Sequence, residues 1–524
     1  MERSFLVPWF LFSLNGGIAR FLRLGRVLRA RGVELSFASL LDRTETPWPG
    51  LRGRILTRAE AFRRSWDGVM VPGAGAPPEL LERLAPLREP RFGVRVQHVL
   101  NDPSRRHAFE SANRALRPHV VVFNNRHWST GEWRGLSGET FHEIPGAVDT
   151  VLHRPEPGRP FPRRPPRWEV GALASKNLPV ILEAAARLPD TFRFHLFGAP
   201  PPDPPPLLAR LVDADRVRLH GALAGEALAR FYRSLDAVVT VEVHAGWCNT
   251  AAEGFAHGLP CVVTPAGTRE FARHGETCLV MAHPTAPALA EHLRALARDP
   301  ARAAALGRAA ARAVAPFSWE AYADRLLPCL ERPAFPHYFR APALGLFGRH
   351  PVAHRLEGLA PLFARTAGAS LLDLGCAEGL VSLAFAREGG AARIHGFDVD
   401  PGRTAFARHL FSREAGGVEA RFRTADLERW TAFLGENRDL LLPAYDVVLF
   451  LGLYHHLSEG ARRETLEGAL DRCGRWFALR TPRRLVERDD LEGILRNRGF
   501  RLLNFMEGAA GRGWFGIFEK EPLP

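Results

Sequence analysis

"LLDLGCAEG", residues 371–379, decides the fold of the last third of this 524-residue chain. An apolar run ends in the acid Asp373, and the chain then turns through Gly375 and Gly379 into "LVSLAFAREG", whose apolar spacing is helical. Small residues in such a turn let the backbone approach a ligand closely, and the first turn of the new helix offers unpaired N–H groups. The next strand, "ARIHGFDVD" (392–400), places Asp398 about 20 residues past the last glycine, where a carboxylate can accept hydrogen bonds from two ribose hydroxyls. The spacing predicts a nucleoside site and leaves open which nucleoside.

The acid at the head of the turn narrows the choice. A dinucleotide turn usually reads GxGxxG, whereas this one reads Asp373-x-Gly375-x-Ala377-x-Gly379. A carboxylate there suits a ligand carrying a sulfonium and an ammonium, and not a pyrophosphate. The pattern resembles motif I of class I S-adenosylmethionine-dependent methyltransferases. The resemblance implies that Asp373, Gly375, Ala377, Gly379 and Asp398 hold S-adenosyl-L-methionine. It further implies that Asp426, in "FRTADLERW", meets the adenine amine, and that "YDVVLFLGLYHHL" (445–457) is the fourth strand with its methyl-acceptor loop. Ala377 departs from the glycine of many members, but a small residue still admits the ligand. His455 and His456 follow that strand. An imidazole of ordinary pKa near 6.5 suits a general base at neutral pH; the alternative is that these residues cap or pack against the next helix. No Asn/Asp-Pro-Pro-aromatic signature is present, which favours an oxygen acceptor and O-methylation.

The preceding 330 residues alternate strand and helix in the same way. "FLVPWFLFSL" (5–14) reads as a buried first strand, not a signal peptide, since its basic flank is only Arg3 and no A-x-A site follows. A glycine turn and an amphipathic helix closed by Gly32 lead to "VELSFASLL", completing a βαβ unit. Residues 1–153 read as one doubly wound domain. "RPEPGRPFPRRPPR" (154–167) is too proline-rich for helix or strand and reads as a stiff lead-in to a second such domain spanning 154–330. Residues 331–354 break the pattern and read as a linker, and 355–524 form the third domain. The expected fold class is α/β, with three Rossmann-like doubly wound domains.

"FHEIPGAVDTVLHRP", "VGALASKNLPVILEAAARL" and "GWCNTAAEGFAHGLPCVVT" resemble family 4 glycosyltransferases of the GT-B fold, as do "GTREFARHGETCLV" and "FSWEAYADRLL". The resemblance implies two domains around a cleft and sugar transfer with retention from a nucleotide-sugar donor. Asn249 and Thr250 open a short helix ended by Gly258, whose N-terminal N–H groups can hold a diphosphate, and Glu253, one turn in, can reach the ribose diol. Lys176, after the first strand of the second domain, falls against the same diphosphate. In the first domain Gly16 and Gly17 allow close backbone approach beneath donor and acceptor. By resemblance His98, ending "RFGVRVQH", faces the cleft and contacts the transferred sugar. Two departures stand out. The arginine that partners the lysine falls at Ala172, with Arg269 able to fill in. The first acid of the family's E-x7-E pair falls at Ala245, with Glu242 three residues upstream as a substitute.

The net charge of +13 raises nucleic acid as a partner. Only Lys176 and Lys520 are lysines, however, and an arginine-rich, alanine-rich chain of this kind points to a scattered basic surface. An RNA methyltransferase with an arginine-rich N-terminal reader is one rival reading, against which stands the absence of a stacked aromatic platform. A methyltransferase carrying a noncatalytic GT-B glycan-binding scaffold is another. The six cysteines lack metal spacing and fit a reducing cytoplasm, and Asp213-Ala-Asp215 reads as a turn, so no metal is expected. The expected partners are a nucleotide-sugar and a glycan or lipid-linked acceptor, the latter with peripheral contact at the inner membrane face.

Overall fold

The computed structural model describes residues 2–12, 16–72, 76–99, 106–124, 136–155, 167–482, 488–507 and 513–521. The chain divides into two compact units, Met1–Arg332 and Pro333–Pro524. Most of the proline-rich stretch that opens the second predicted domain lies outside the described residues.

The first unit holds two sheets. β1 (Arg3–Trp9), β2 (Val33–Ser39), β3 (Ile55–Leu56), β4 (Gly68–Val71), β5 (Val94–Val99), β6 (Val120–Phe123) and β7 (Thr140–Glu143) form a parallel sheet in the order β3-β2-β1-β4-β5-β6-β7. Phe5, Leu6 and Val7 are all fully buried, as expected of a strand covered on both faces by helices.

β8 (Trp168–Leu173), β9 (Phe192–Phe197), β10 (Val217–Gly221), β11 (Ala237–Val239), β12 (Cys261–Val263) and β13 (Leu279–Val280) form the second sheet, ordered β10-β9-β8-β11-β12-β13. Strand order reverses between β8 and β11, so the carboxyl ends of these strands border the crevice where open α/β sheets bind ligands. The helix Trp319–Leu326, capped by Ser318 Oγ accepting from Ala321 N, does not stay with this sheet. Its Trp319, Tyr322 and Leu326 are buried in the core of the first sheet, and Arg31 pairs with Asp324 at 2.9 Å. The span 154–330, read from the sequence as a single domain, therefore ends by crossing back, because the apolar face of this helix matches the core around β1.

The second unit opens with β14 (Phe339–Ala341), β15 (Leu346–Phe347) and β16 (His350–Pro351), a three-stranded sheet within the segment expected to be a linker. Its main sheet comprises β17 (Ser370–Leu374), β18 (Arg393–Asp398), β19 (Glu419–Thr424), β20 (Tyr445–Leu451), β21 (Cys473–Thr481), β22 (Phe500–Glu507) and β23 (Trp514–Lys520). The order is β19-β18-β17-β20-β21-β23-β22, parallel except for β23, which pairs antiparallel with both neighbours. The order reverses between β17 and β20. The expected α/β class with doubly wound, mainly parallel sheets is the observed one.

Candidate functional sites

The turn after β17 is built on left-handed backbone. Gly375, Ala377 and Gly379 have φ of +80°, +47° and +77°, and the helix Leu380–Arg387 follows directly. A Cβ on Gly379 would come within 2.9 Å of Ala407 Cβ, so glycine is required there for both conformation and space. Asp373 and Asp398 end adjacent strands and are 3% and 6% exposed. Asp398 Oδ2 accepts from Ala377 N and Oδ1 from Asp400 N, both at 3.0 Å, while Asp373 Oδ2 accepts from Ser382 Oγ at 2.5 Å. Burial pushes the Asp373 carboxyl up to about 7; Ser382 opposes the rise and the Asp398 charge adds to it. Asp426 sits exposed past β19, its Oδ1 accepting from Glu428 N. Nucleoside-type acceptors and a buried acid suited to a cationic ligand thus share the carboxyl edge of β17 and β18, an arrangement that fits S-adenosylmethionine.

His455 and His456 lie in a 3-10 turn just past β20, ring centroids 4.0 Å apart. His455 Nδ1 is buried without a hydrogen-bond partner. The expectation of an ordinary imidazole pKa needs correction. Burial pushes His455 down to about 4, with His456, Arg355 and Arg462 adding to the effect; burial, Arg403 and Arg355 also lower His456. Both rings are neutral acceptors at neutral pH.

Residues that the sequence reading missed complete this wall. Glu378, inside the quoted turn and fully buried, accepts from Tyr338 N at 2.5 Å and Phe339 N at 3.2 Å, fastening the small sheet to the cofactor turn. Gly452, φ +77°, follows β20. A Cβ built on it would lie 3.8 Å from His455 Cε1, 3.9 Å from Tyr338 Oη and 4.0 Å from Arg355 Nη1. Tyr338 and Arg355 fall in or beside a stretch with no helical or strand period, which hid them; Glu378 was visible in the motif but carries no spacing signal.

In the first unit a cavity of about 420 Å³ opens at the carboxyl ends of β11, β12 and β13, within the usual size range of small-molecule sites. Glu242, Ala245, Gly246, Gly267, Arg269 and Glu270 line it. Gly267, φ +68°, accepts from Cys248 N at the start of the helix Asn249–Ala256, and a Cβ there would meet Cys248 N at 2.6 Å. Lys176 is exposed in the turn after β8, and neighbouring Asn177 Nδ2 donates to Val241 O at 3.4 Å, linking that turn to the loop after β11.

Several predicted residues sit elsewhere. Lys176, Asn249, Thr250 and Glu253 are not among the cavity's lining residues. Asn249 is exposed and Thr250 buried, at the opening of the short helix. Glu253 is 4% exposed: Tyr232 Oη donates to it at 3.0 Å, and Arg23 and His153 approach it at 3.6 and 3.7 Å. Expected to face a ribose, it is enclosed because it lies on the buried face of its helix. His98, expected to face the cleft, is fully buried against Phe21, with Nδ1 3.5 Å from Tyr322 Oη, because the returning helix covers the end of β5. Burial and Arg20 hold its pKa well below the ordinary value. Gly16 and Gly17 are the first residues of the helix Gly16–Arg29, and residues 13–15 of the expected turn lie outside the described residues. Ala172 is fully buried in β8. Asp215 forms a left-handed turn held by Arg167, Arg193 and Arg218, as expected of a turn.

Residues 169–299 match the family model described as Glycosyl transferases group 1, and residues 371–473 match one described as Methyltransferase domain. The chain is 28% identical over 209 residues to the MMP alpha-(1->4)-mannosyltransferase of Mycolicibacterium hassiacum, covering 38% of this chain and 49% of that one. It is 37% identical over 120 residues to the D-inositol 3-phosphate glycosyltransferase of Streptomyces avermitilis, covering 22% and 26%. The matches thus span about half, or less, of these curated relatives. Among solved structures, Anabaena HepE in complex with UDP and glucose aligns with a TM-score of 0.52 at 15% identity, over 63% of this chain and 99% of that one. Sucrose-phosphate synthase from Thermosynechococcus elongatus aligns at 0.50 and 17% identity, over 62% and 98%. These likenesses give the fold, GT-B, and the chain carries a glycosyltransferase domain followed by a methyltransferase domain.

Proposed function

We propose that this chain, a glycosyltransferase domain followed by a methyltransferase domain, is a bifunctional transferase. Its first unit moves a sugar, with retention, from a nucleotide-sugar to a glycan or lipid-linked acceptor. Its second unit methylates a hydroxyl of a sugar or related product. Joining the two on one chain raises the effective concentration of one product at the other site.

The observation that carries the methyltransferase reading is the pairing of Asp373 and Asp398 at adjacent strand ends around a left-handed turn. S-adenosylmethionine, when bound, supplies an activated methyl group. The chain's own residues do the rest. Asp398 accepts from ribose hydroxyls, Asp373 faces positive charge, Asp426 meets the adenine amine, and His455 Nδ1, unpartnered and neutral, takes the acceptor's proton.

In the first unit the cavity at β11–β13 takes the donor sugar, with Glu242 standing in for the acid missing at Ala245. Lys176, Arg269 and the N-terminus of the helix Asn249–Ala256 serve the leaving diphosphate. The enclosure of Glu253 by Arg23, Tyr232 and His153 favours one second reading, a noncatalytic glycan-binding scaffold. Mass spectrometry of products from the full chain, offered a panel of nucleotide-sugars and labelled S-adenosylmethionine, tests both halves. A sugar product with no labelled methyl anywhere in the panel would sink the methyltransferase half. Neither transfer nor hydrolysis of any donor would leave the scaffold reading.

A further inference from the structure

We propose that the space beside Gly452, faced by His455, Tyr338 and Arg355, is the acceptor subsite of the second unit and that it takes an anionic group, a carboxylate or a phosphate, carried by the molecule to be methylated. The inference rests on the methyltransferase reading and adds the charge of its acceptor.

The surroundings of Gly452 are fixed by hydrogen bonds. Glu378 fastens Tyr338 and Phe339 by their backbone N–H groups, and Arg480 donates to the carbonyls of His354, Arg355 and Glu357 at 3.2, 2.9 and 2.6 Å. Arg480 also lies over the Phe515 ring. Residues 354–357, which bear Arg355, are therefore held by Arg480 through their carbonyls, and Arg355 itself is half-buried.

Arg355 has no counter-ion among the described residues. Its Nη2 meets His350 Nδ1 at 3.0 Å, its guanidinium lies 5.2 Å from the Tyr338 ring centroid, and no carboxylate stands within 4.0 Å of it among the described residues. The nearby acids are engaged elsewhere: Asp398 with Ala377 N, Asp400 N and, at 3.9 Å, Arg403; Asp373 with Ser382; Glu378 with the small sheet. The imidazoles do not change this balance. Burial, Arg355 and Arg349 push His350 down to about 3, burial pushes His455 down to about 4, and His456 is lowered too, so near neutral pH the charge beside Gly452 is that of arginine.

A half-buried guanidinium without a counter-ion is costly, and its fork matches the two oxygens of a carboxylate or phosphate. Arg355 Nη1, Tyr338 Oη and the unpartnered His455 converge on one point. An anion at Arg355 therefore sits within a small molecule's width of the group that takes the acceptor's proton. Two sources could supply that anion, the acceptor or the carboxylate of the cofactor itself, and the convergence with His455 favours the acceptor.

Calorimetry on the full chain tests this with S-adenosylhomocysteine, and then with inorganic phosphate and acetate added to the loaded protein. The expected result is phosphate or acetate binding that Arg355→Gln weakens at least about tenfold and Arg355→Lys partly restores, with S-adenosylhomocysteine affinity kept within about twofold. Retained anion binding in Arg355→Gln, or none in the unaltered chain, overturns the proposal. So does a tenfold loss of S-adenosylhomocysteine affinity in Arg355→Gln with folding intact by circular dichroism, which would assign the guanidinium to the cofactor's carboxylate. Failure of the unaltered chain to bind S-adenosylhomocysteine would instead remove the methyltransferase reading, and this inference with it.

Discussion

Asp398 Oδ2 holds the backbone N–H of Ala377 at 3.0 Å, tying the end of β18 to the turn after β17. The same carboxylate is the acceptor proposed for the ribose, so one side chain both shapes the turn and binds in it. Asp398→Ala should lower S-adenosylhomocysteine affinity by at least about 100-fold, since two charge-assisted hydrogen bonds are each worth about 1.5–3 kcal/mol. Sugar transfer by the same variant should be unchanged. Loss of both activities would argue against independent sites.

Asp373 makes the second unit sensitive to pH. Its carboxyl, ordinarily near 3.8, is pushed up to about 7 by burial. The folded chain therefore holds this proton between about pH 4 and 7 while the unfolded chain does not. The group's contribution is most favourable below pH 4 and is lost as pH rises through 7. Asp373→Asn should flatten the decline in stability between about pH 4 and 7, read by chemical denaturation. A cationic ligand favours the carboxylate, so cofactor binding near pH 6.5 should release a proton, visible as a dependence of the calorimetric heat on buffer ionisation.

His455, pushed down to about 4, stays neutral at higher pH. Methyl transfer should then be flat from about pH 5.5 upward with respect to this group and fall only toward pH 4, without a limb near 6.5. His455→Ala should cut kcat by about 10²–10⁴ with little change in acceptor KM. A limb near 6.5 that vanishes in His455→Ala would contradict the neutral-imidazole assignment.

Glu242 and Glu253 should separate in their effects. Glu253→Ala leaves the buried Tyr232 hydroxyl only its longer, 3.4 Å bond to Thr250 O and removes the carboxylate facing Arg23, so it should lower stability by about 1–3 kcal/mol as well as sugar transfer. Glu242 lines the cavity, so Glu242→Ala should lower sugar transfer with less change in melting temperature. Equal thermal destabilisation by both would remove the distinction.

The strand–turn–helix units were legible because parallel, doubly covered strands print as apolar runs such as Phe5–Val7 and Leu371–Leu374, punctuated by glycine turns. Asp373 and Asp398 were legible for the same reason, each standing at a strand end. The surroundings of His98, Glu253 and the histidine pair were not. His98 is covered by a helix more than 200 residues later in the chain, and Glu253 meets Arg23 from the opposite end of its unit. The pKa of His455 depends on Arg355, about 100 residues earlier. Local spacing carries no record of such neighbours. The small sheet at 339–351 escaped because strands of two or three residues leave no period to read.

That small sheet also bears on where the polypeptide can be severed. Its backbone hydrogen bonds to Glu378 and the grip of Arg480 on residues 354–357 make it part of the cofactor domain's own framework. A recombinant piece starting at residue 355, the boundary that the periodicity invites, would strip Tyr338 from beside Gly452 and remove the Tyr338 and Phe339 N–H groups that the buried Glu378 carboxylate accepts from. One starting at Pro333 retains both.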